Sequence, residues 1–187
     1  MEIIGIDEAG RGPLAGPVVV AGIKIRSAKT AKRLFAGIRD SKKLSAKKRE
    51  EWFLRLTRHS SIEYAVARVW NHVIDRVNIT RAANIAAARV CRRLSSKKGR
   101  VFAVLDGGLY LPDSIPQKTI IKGDERIPVI AAASIIAKVT RDRIMMRLHK
   151  KFPQYRFDLH KGYGTRLHKE YIRRHGYSGV HRRTFRI

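Results

Sequence analysis

The sequence predicts an α/β fold with one mixed five-stranded sheet flanked by helices, and three observations carry that prediction. Three short β-rich runs come early, a helical stretch follows, and two further strands with helices complete the chain, an order that suits a mixed sheet. Val101 to Leu105 is a near-continuous apolar run of the kind that forms a central strand covered on both faces. No internal repeat, low-complexity linker or break in composition divides the 187 residues, so one domain over 1–187 with a short basic C-terminal tail is expected.

Taken in order, Ile3 to Asp7 and Val18 to Ile25 read as two strands joined by a Gly- and Pro-rich connection that is long for a simple hairpin. Ala28 to Phe35 reads as helix. Ser45 is placed to cap a second helix with Trp52, Phe53 and Leu56 on its apolar face, and the alternation of Glu63 to Trp70 marks a third strand. Thr80 is a candidate cap for a long helix with Ala83, Ala86, Ala87, Val90 and Leu94 on one side and Arg81, Arg89, Arg92 and Arg93 left for solvent. Val101 to Leu105 gives the fourth strand and Thr119 to Lys122 the fifth, with Gly123-Asp124 as a turn. Pro128 suits the first position of a helix running to about Lys150, and a shorter helix is expected from about Arg166 to Arg174.

Composition narrows the function. With 41 Lys and Arg against 15 Asp and Glu, the formal net charge is +26, and the cations are spread along the whole chain. Such a surface seeks polyanions, and nucleic acid is the leading partner because neutralising phosphates releases counterions. The lone Cys91 excludes an intramolecular disulfide and a thiolate-rich zinc site, and suits a reducing cytosol. No charged-then-apolar leader opens the sequence and no apolar run approaches the ~20 residues that span a bilayer, so a cytoplasmic protein with no membrane partner is expected.

Against that positive background the acids stand out. Asp7-Glu8 follow the first strand, Asp106-Gly107-Gly108 the fourth, and Gly123-Asp124 the fifth. Neighbouring strand ends form the usual ligand crevice of an open α/β sheet, so these acids can converge although they are far apart in sequence. Carboxylates gathered there repel one another unless cations sit between them, and Mg²⁺ or Mn²⁺, hard ions with oxygen ligands, are the natural occupants. Taken singly, each acid reads as well as a helix cap or an ion-pair partner. Gly10, Gly12 and Gly16 follow neither a dinucleotide-binding nor a P-loop pattern; they make a side-chain-poor turn whose backbone could approach a ligand closely, with Arg11 projecting from it.

The run Asp7-Glu8-Ala9-Gly10-Arg11-Gly12-Pro13-Leu14-Ala15-Gly16-Pro17 is followed in order by Asp40-Ser41-Lys42-Lys43-Leu44, Asp106-Gly107, Lys122-Gly123-Asp124, Ala132 to Asp142, His160-Lys161-Gly162-Tyr163-Gly164-Thr165 and His181-Arg182-Arg183-Thr184-Phe185. With these motifs the chain resembles bacterial ribonuclease HII over nearly its whole length. The resemblance implies a ribonuclease H-like fold and an endonuclease that cuts the RNA of RNA–DNA hybrids. It also implies nicking of duplex DNA on the 5′ side of a single embedded ribonucleotide, with two metal ions and with 3′-hydroxyl and 5′-phosphate products. It carries over Asp7, Glu8, Asp106 and Asp124 as the Mg²⁺- or Mn²⁺-binding catalytic acids, Gly10-Arg11-Gly12 as the grip on the 2′-hydroxyl and adjacent phosphate, and Tyr163 as the ring stacked on the next sugar.

Lys42, Lys43, Lys122, Lys138 and Arg141 are candidate phosphate contacts, with Lys42 taken as substrate-binding; Ser134 either faces the substrate or packs, and His160 and His168 read as charged surface histidines. A monomer is expected. Neither the C-terminal extension of some relatives nor the extra N-terminal domain of ribonuclease HIII, the runner-up within the same chemistry, is expected. Two rivals of other classes are a non-catalytic basic nucleic-acid-binding protein and a metal-independent ribonuclease working through histidines.

Overall fold

The computed structural model describes residues 2–38, 44–95 and 101–187, without the side chain of residue 28. Lys42 and Lys43 therefore lie outside the described residues. Five strands form the sheet: β1 (Glu2–Ala9), β2 (Val18–Ile25), β3 (Glu63–Val69), β4 (Val101–Asp106) and β5 (Gln117–Ile120). Their order is β3-β2-β1-β4-β5, with β1 antiparallel to β2, β2 antiparallel to β3, and β1-β4-β5 mutually parallel. The sheet is mixed and five-stranded, as expected from the succession of elements along the sequence.

Two long helices cover its faces. The first, α4 (Ile79–Leu94), follows the shorter α1 (Ala28–Leu34), α2 (Ala46–Arg58) and α3 (Asn71–Val77). It buries Ala82, Ala83, Ala86, Ala87, Val90, Cys91 and Leu94 in a core shared with Ile4 and Ile6 of β1 and Val18 and Val20 of β2. After α5 (Gly123–Arg126), the 24-residue α6 (Pro128–Lys151) packs on the other face, where Val129, Ile130 and Ala132 meet Ala21, Ile23 and Ile25. Strand period decides which helix each side chain meets: Ile4 and Ile6 point toward α4, whereas Gly5 lies so close to α6 that a Cβ there would stand 2.7 Å from the Val129 backbone. Asp7, two positions beyond Gly5, shares the α6 side. A 3₁₀ turn (Pro153–Tyr155), α7 (Phe157–His160) and α8 (Arg166–His175) complete the chain.

Several local expectations are corrected. The cap of α4 is Asn78, whose side chain accepts from the Arg81 amide at 3.0 Å; Thr80 lies inside the helix. The fifth strand is Gln117–Ile120, earlier than expected, because Lys122 takes a left-handed conformation and Gly123-Asp124 open α5 instead of a turn. His160 and His168 are buried, with Phe157 edge-on to both rings, where a charged imidazole would be desolvated. The segment read as a basic tail is tied into the body: His181 and Arg182 are buried, and the Arg182 amide donates to the Leu14 carbonyl at 2.8 Å.

Candidate active site

The site is built at the ends of β1 and β4, which are parallel neighbours. Asp7 and Glu8 stand near the end of β1, Asp106 is the last residue of β4, and ligand oxygens of all three lie within 4.8 Å of one another. The Asp7 carboxylate is buried against α6, where Ser134 hydrogen-bonds to it, and its Oδ1 accepts from the Glu8 amide at 2.7 Å. Burial and then the charges of Glu8 and Asp106 push the Asp7 pKa well above the ordinary carboxylate range, against the pull of those two hydrogen bonds. The Glu8 pKa is pushed up to about 7, chiefly by burial; Arg11, 3.8 Å from its Oε1, opposes the shift, and Asp106 adds to it.

Asp106 is fixed from the other side. Its Oδ1 accepts from the Gly123 amide at 2.6 Å, which ties the end of β4 to the start of α5. Asp124 is the next residue of that helix and is buried, but it is not one of the three acids whose oxygens converge within 4.8 Å. The donor set suits a hard divalent ion: all oxygen, mutually repelling, with Glu8 Oε2 buried and lacking any hydrogen-bond partner among the described residues. A cation held by Asp7, Glu8 and Asp106 would satisfy that oxygen and remove the repulsion that raises the pKa values.

Gly10–Pro17 leads away from the acids and back into β2. Gly10 has φ +98°, and a Cβ there would fall 2.1 Å from Arg141 Nε, so only glycine fits. The Arg11 side chain turns back to the protein: Nη2 donates to Thr80 Oγ1 at 3.0 Å and Nη1 to the Gly108 carbonyl at 3.3 Å. Its guanidinium thus braces the first turn of α4 against the loop after β4; Arg11 itself is half-buried and Gly12 beside it is exposed.

Tyr163 is 40% exposed, with Lys138 Nζ 5.6 Å and the Arg141 guanidinium 5.5 Å from its ring centre. Its backbone is held on both sides: the amide donates to the His160 carbonyl, and the carbonyl accepts from the Thr165 amide and from His168 Nδ1. Three buried imidazoles form the support, and their hydrogen bonds fix their tautomers. His168 must carry its proton on Nδ1, leaving Nε2 to accept from His181 Nε2 at 3.1 Å, while His181 Nδ1 accepts from the Ser178 amide. His160 donates from Nε2 to the Tyr155 carbonyl and accepts from the Gly162 amide. Burial pushes the pKa of His168 and of His181 down to about 4, with His160 adding to the effect on His168, and His168 and then His160 to that on His181.

Of the remaining expected contacts, Lys122 is exposed beside the acids of α5 and Lys138 pairs with Asp142 at 2.9 Å. Arg141, expected at a phosphate, is instead fully buried and bonded to backbone carbonyls. Arg182 plays a matching part that charge and spacing gave no sign of. In a chain with 41 cations, a buried arginine reads like its solvated neighbours.

Acids converging at adjacent strand ends, an unsatisfied buried carboxylate oxygen and a strongly positive chain define a class: a metal-dependent nuclease. The comparisons with known proteins give the family. The family model described as ribonuclease HII matches residues 4–187. Curated ribonuclease HII proteins of Coxiella burnetii and Chlamydia pneumoniae are 44% and 45% identical over 98% of this chain, covering 87% and 82% of their own lengths. The solved structure of a PCNA:RNase HII complex from Archaeoglobus fulgidus superposes with a TM-score of 0.80 at 29% identity, covering 100% of this chain and 96% of the other. The chain belongs to the ribonuclease HII family, with the ribonuclease H-like α/β fold. It is a metal-dependent endoribonuclease acting on the RNA strand of RNA–DNA hybrids.

Proposed function

We propose that the enzyme also nicks duplex DNA on the 5′ side of a single embedded ribonucleotide, using two divalent ions, Mg²⁺ or Mn²⁺, held by Asp7, Glu8, Asp106 and Asp124. The observation that carries this reading is the convergence of three acids within 4.8 Å at the root of a glycine-rich loop whose Gly12 is exposed. When bound, a pair of divalent ions supplies an activated water and charge stabilisation for the leaving oxygen, which gives 3′-hydroxyl and 5′-phosphate ends.

The chain's own groups do the rest. Asp7 and Asp106 approach from adjacent strands and Glu8 from the next β1 position, so the acids hold their geometry through the sheet. Gly10, Arg11 and Gly12 bring main chain close to the ribose, where the 2′-hydroxyl is the only group that separates a ribonucleotide from DNA with the same base. The exposed face of Tyr163 stacks on the following deoxyribose, and Lys42 contacts the substrate from outside the described residues. The substrates are RNA–DNA hybrids and duplex DNA containing ribonucleotides. The enzyme acts as a monomeric, single catalytic domain in the cytoplasm; its one cysteine is buried and unpaired, and no helix among the described residues is long and apolar enough to cross a membrane.

Asp7→Asn tests the assignment. Cleavage should fall by at least about 10³-fold while affinity for the duplex is retained, because the substitution keeps shape and removes a metal-binding charge. Full turnover by this variant with Mg²⁺ would remove the central role of Asp7.

A further inference from the structure

Beneath Gly10–Pro17 lie two guanidiniums that the chemistry above does not use. Arg141, from the middle of α6, and Arg182, from the C-terminal segment, are both fully buried. Neither makes an ion pair among the described residues; Asp142 and Asp75 act on them only from a distance. A buried guanidinium without a carboxylate is costly unless its donors are satisfied, and here backbone carbonyls satisfy them.

Arg182 donates from Nε to Gly16, from Nη1 to Arg11 and from Nη2 to Gly10, at 3.0, 2.8 and 2.6 Å. Arg141 donates from Nε to Pro17, from Nη2 to Ala15 and from Nη1 to Lys161, at 3.2, 3.1 and 3.0 Å. Five of these six acceptors belong to the one loop, and the sixth precedes Gly162-Tyr163. The amides of Leu14 and Gly16 are taken by the Gly162 and Val180 carbonyls, whereas those of Arg11 and Gly12 donate to no acceptor among the described residues. The loop thus turns five carbonyls inward onto two positive charges and leaves the amides of half-buried Arg11 and exposed Gly12 unengaged, an arrangement suited to an anion such as a phosphodiester.

We propose that Arg141 and Arg182 are paired positioning residues for substrate recognition: two buried guanidinium forks hold the Gly10–Pro17 carbonyls inward so that the Arg11 and Gly12 amides meet the nucleotide. This rests on reading Gly10-Arg11-Gly12 as a substrate contact. The fork geometry is essential to it. A lysine keeps the charge but is a compact point donor that cannot reproduce three divergent bonds to fixed carbonyls. Because both side chains act on one loop, their effects are coupled and less than multiplicative.

The test uses Arg182→Lys, Arg141→Lys, the double variant and Gly12→Ala on a duplex carrying one ribonucleotide, with melting temperature and Mn²⁺ affinity measured in parallel. Each lysine variant should raise KM by about tenfold, as expected when buried carbonyls lose their donors, with kcat at saturating duplex and Mn²⁺ affinity within about threefold of the parent. The double variant should fall short of the product of the two. A methyl at position 12 meets no protein atom within 4 Å, so Gly12→Ala should raise KM with no change in melting temperature. A raised KM in Gly12→Ala beside a parental KM in both folded lysine variants contradicts the positioning role and leaves the loop contact standing. A parental KM in Gly12→Ala overturns the loop contact and the inference with it. Loss of KM and kcat together, in step with melting temperature, shows a merely structural role and also overturns it.

Discussion

At the scale of single residues, the proposed chemistry depends on acids kept where acids are unfavourable. Glu8, with a folded pKa of about 7 against an ordinary value of 4.5, binds its proton more tightly in the metal-free folded state than in the unfolded chain. Its contribution to stability is fully present below about pH 4.5 and is lost as pH rises through 7, a swing on the order of 3 kcal/mol. Asp7 acts in the same direction. A divalent ion requires the deprotonated forms, so added Mn²⁺ should raise the melting temperature by several degrees at pH 8 and hardly at all at pH 5.5. An equal rise at both values would mean that the ion binds elsewhere. Tyr163 offers a separate test: Tyr163→Ala should lower cleavage of the single-ribonucleotide duplex more than cleavage of a continuous hybrid, by about tenfold in the ratio, because the exposed ring proposed to stack on the deoxyribose at the junction is lost. Equal losses would count against stacking at the junction. Acids stood out in the sequence because they were scarce; Arg141, Arg182 and the three imidazoles did not, because nothing in their spacing separates a buried cation or a neutral histidine from a solvated one.

At the scale of elements, the long periodic segments and the seven-residue α1 were legible, whereas three other short helices were not. The apolar spacing of α4, the Pro128 start of α6 and the Ser45 cap of α2 all appear as expected. Helices α3, α5 and α7, of seven residues or fewer, show too little of a turn-to-turn pattern to be read. A hydroxyl makes Thr80 a candidate cap of α4, but Asn78 serves both α3 and α4 at φ +67°. Asn78→Ala should therefore lose the cap and keep the strain, costing about 2 kcal/mol in urea unfolding, whereas Asn78→Gly should cost less. Alanine costing no more than glycine would refute this account. The histidines behave oppositely to the acids. Folded pKa values near 4 for His168 and His181, against 6.5, give stability that is fully present above pH 6.5 and lost as pH falls toward 4. The stability advantage of the parent over His168→Phe should shrink over that window, a comparison in which the shared carboxylate titration cancels; a constant difference would mean that His168 is not held neutral.

At the scale of the whole molecule, sheet topology makes the site. Placing β1 between β2 and β4 brings Asp7 and Glu8 beside Asp106 across 98 residues of chain, and packing α6 over β1 brings Ser134 to Asp7. The C-terminal segment returns to the opposite end of the sequence, where Ala15 and His181 form a bridge and Arg182 holds the loop. Fold class, the five strands and the convergence of Asp7, Glu8 and Asp106 were legible because each rests on a pattern of many residues or on a shortage; the order of strands in the sheet was not. Closure of the loop by distant arginines was not, because it exists only in three dimensions. The net charge of +26 favours non-specific attraction to a duplex, so the proposed discrimination is assigned to the few groups around Gly10–Pro17 and Tyr163. The most direct test of the whole account is to incubate the enzyme with a DNA duplex carrying one ribonucleotide, with Mg²⁺ or Mn²⁺ and with chelator, and to identify the product ends. A single metal-dependent nick 5′ to the ribonucleotide, leaving 3′-hydroxyl and 5′-phosphate, is predicted; cleavage that survives chelation, or a 2′,3′-cyclic phosphate product, would contradict it.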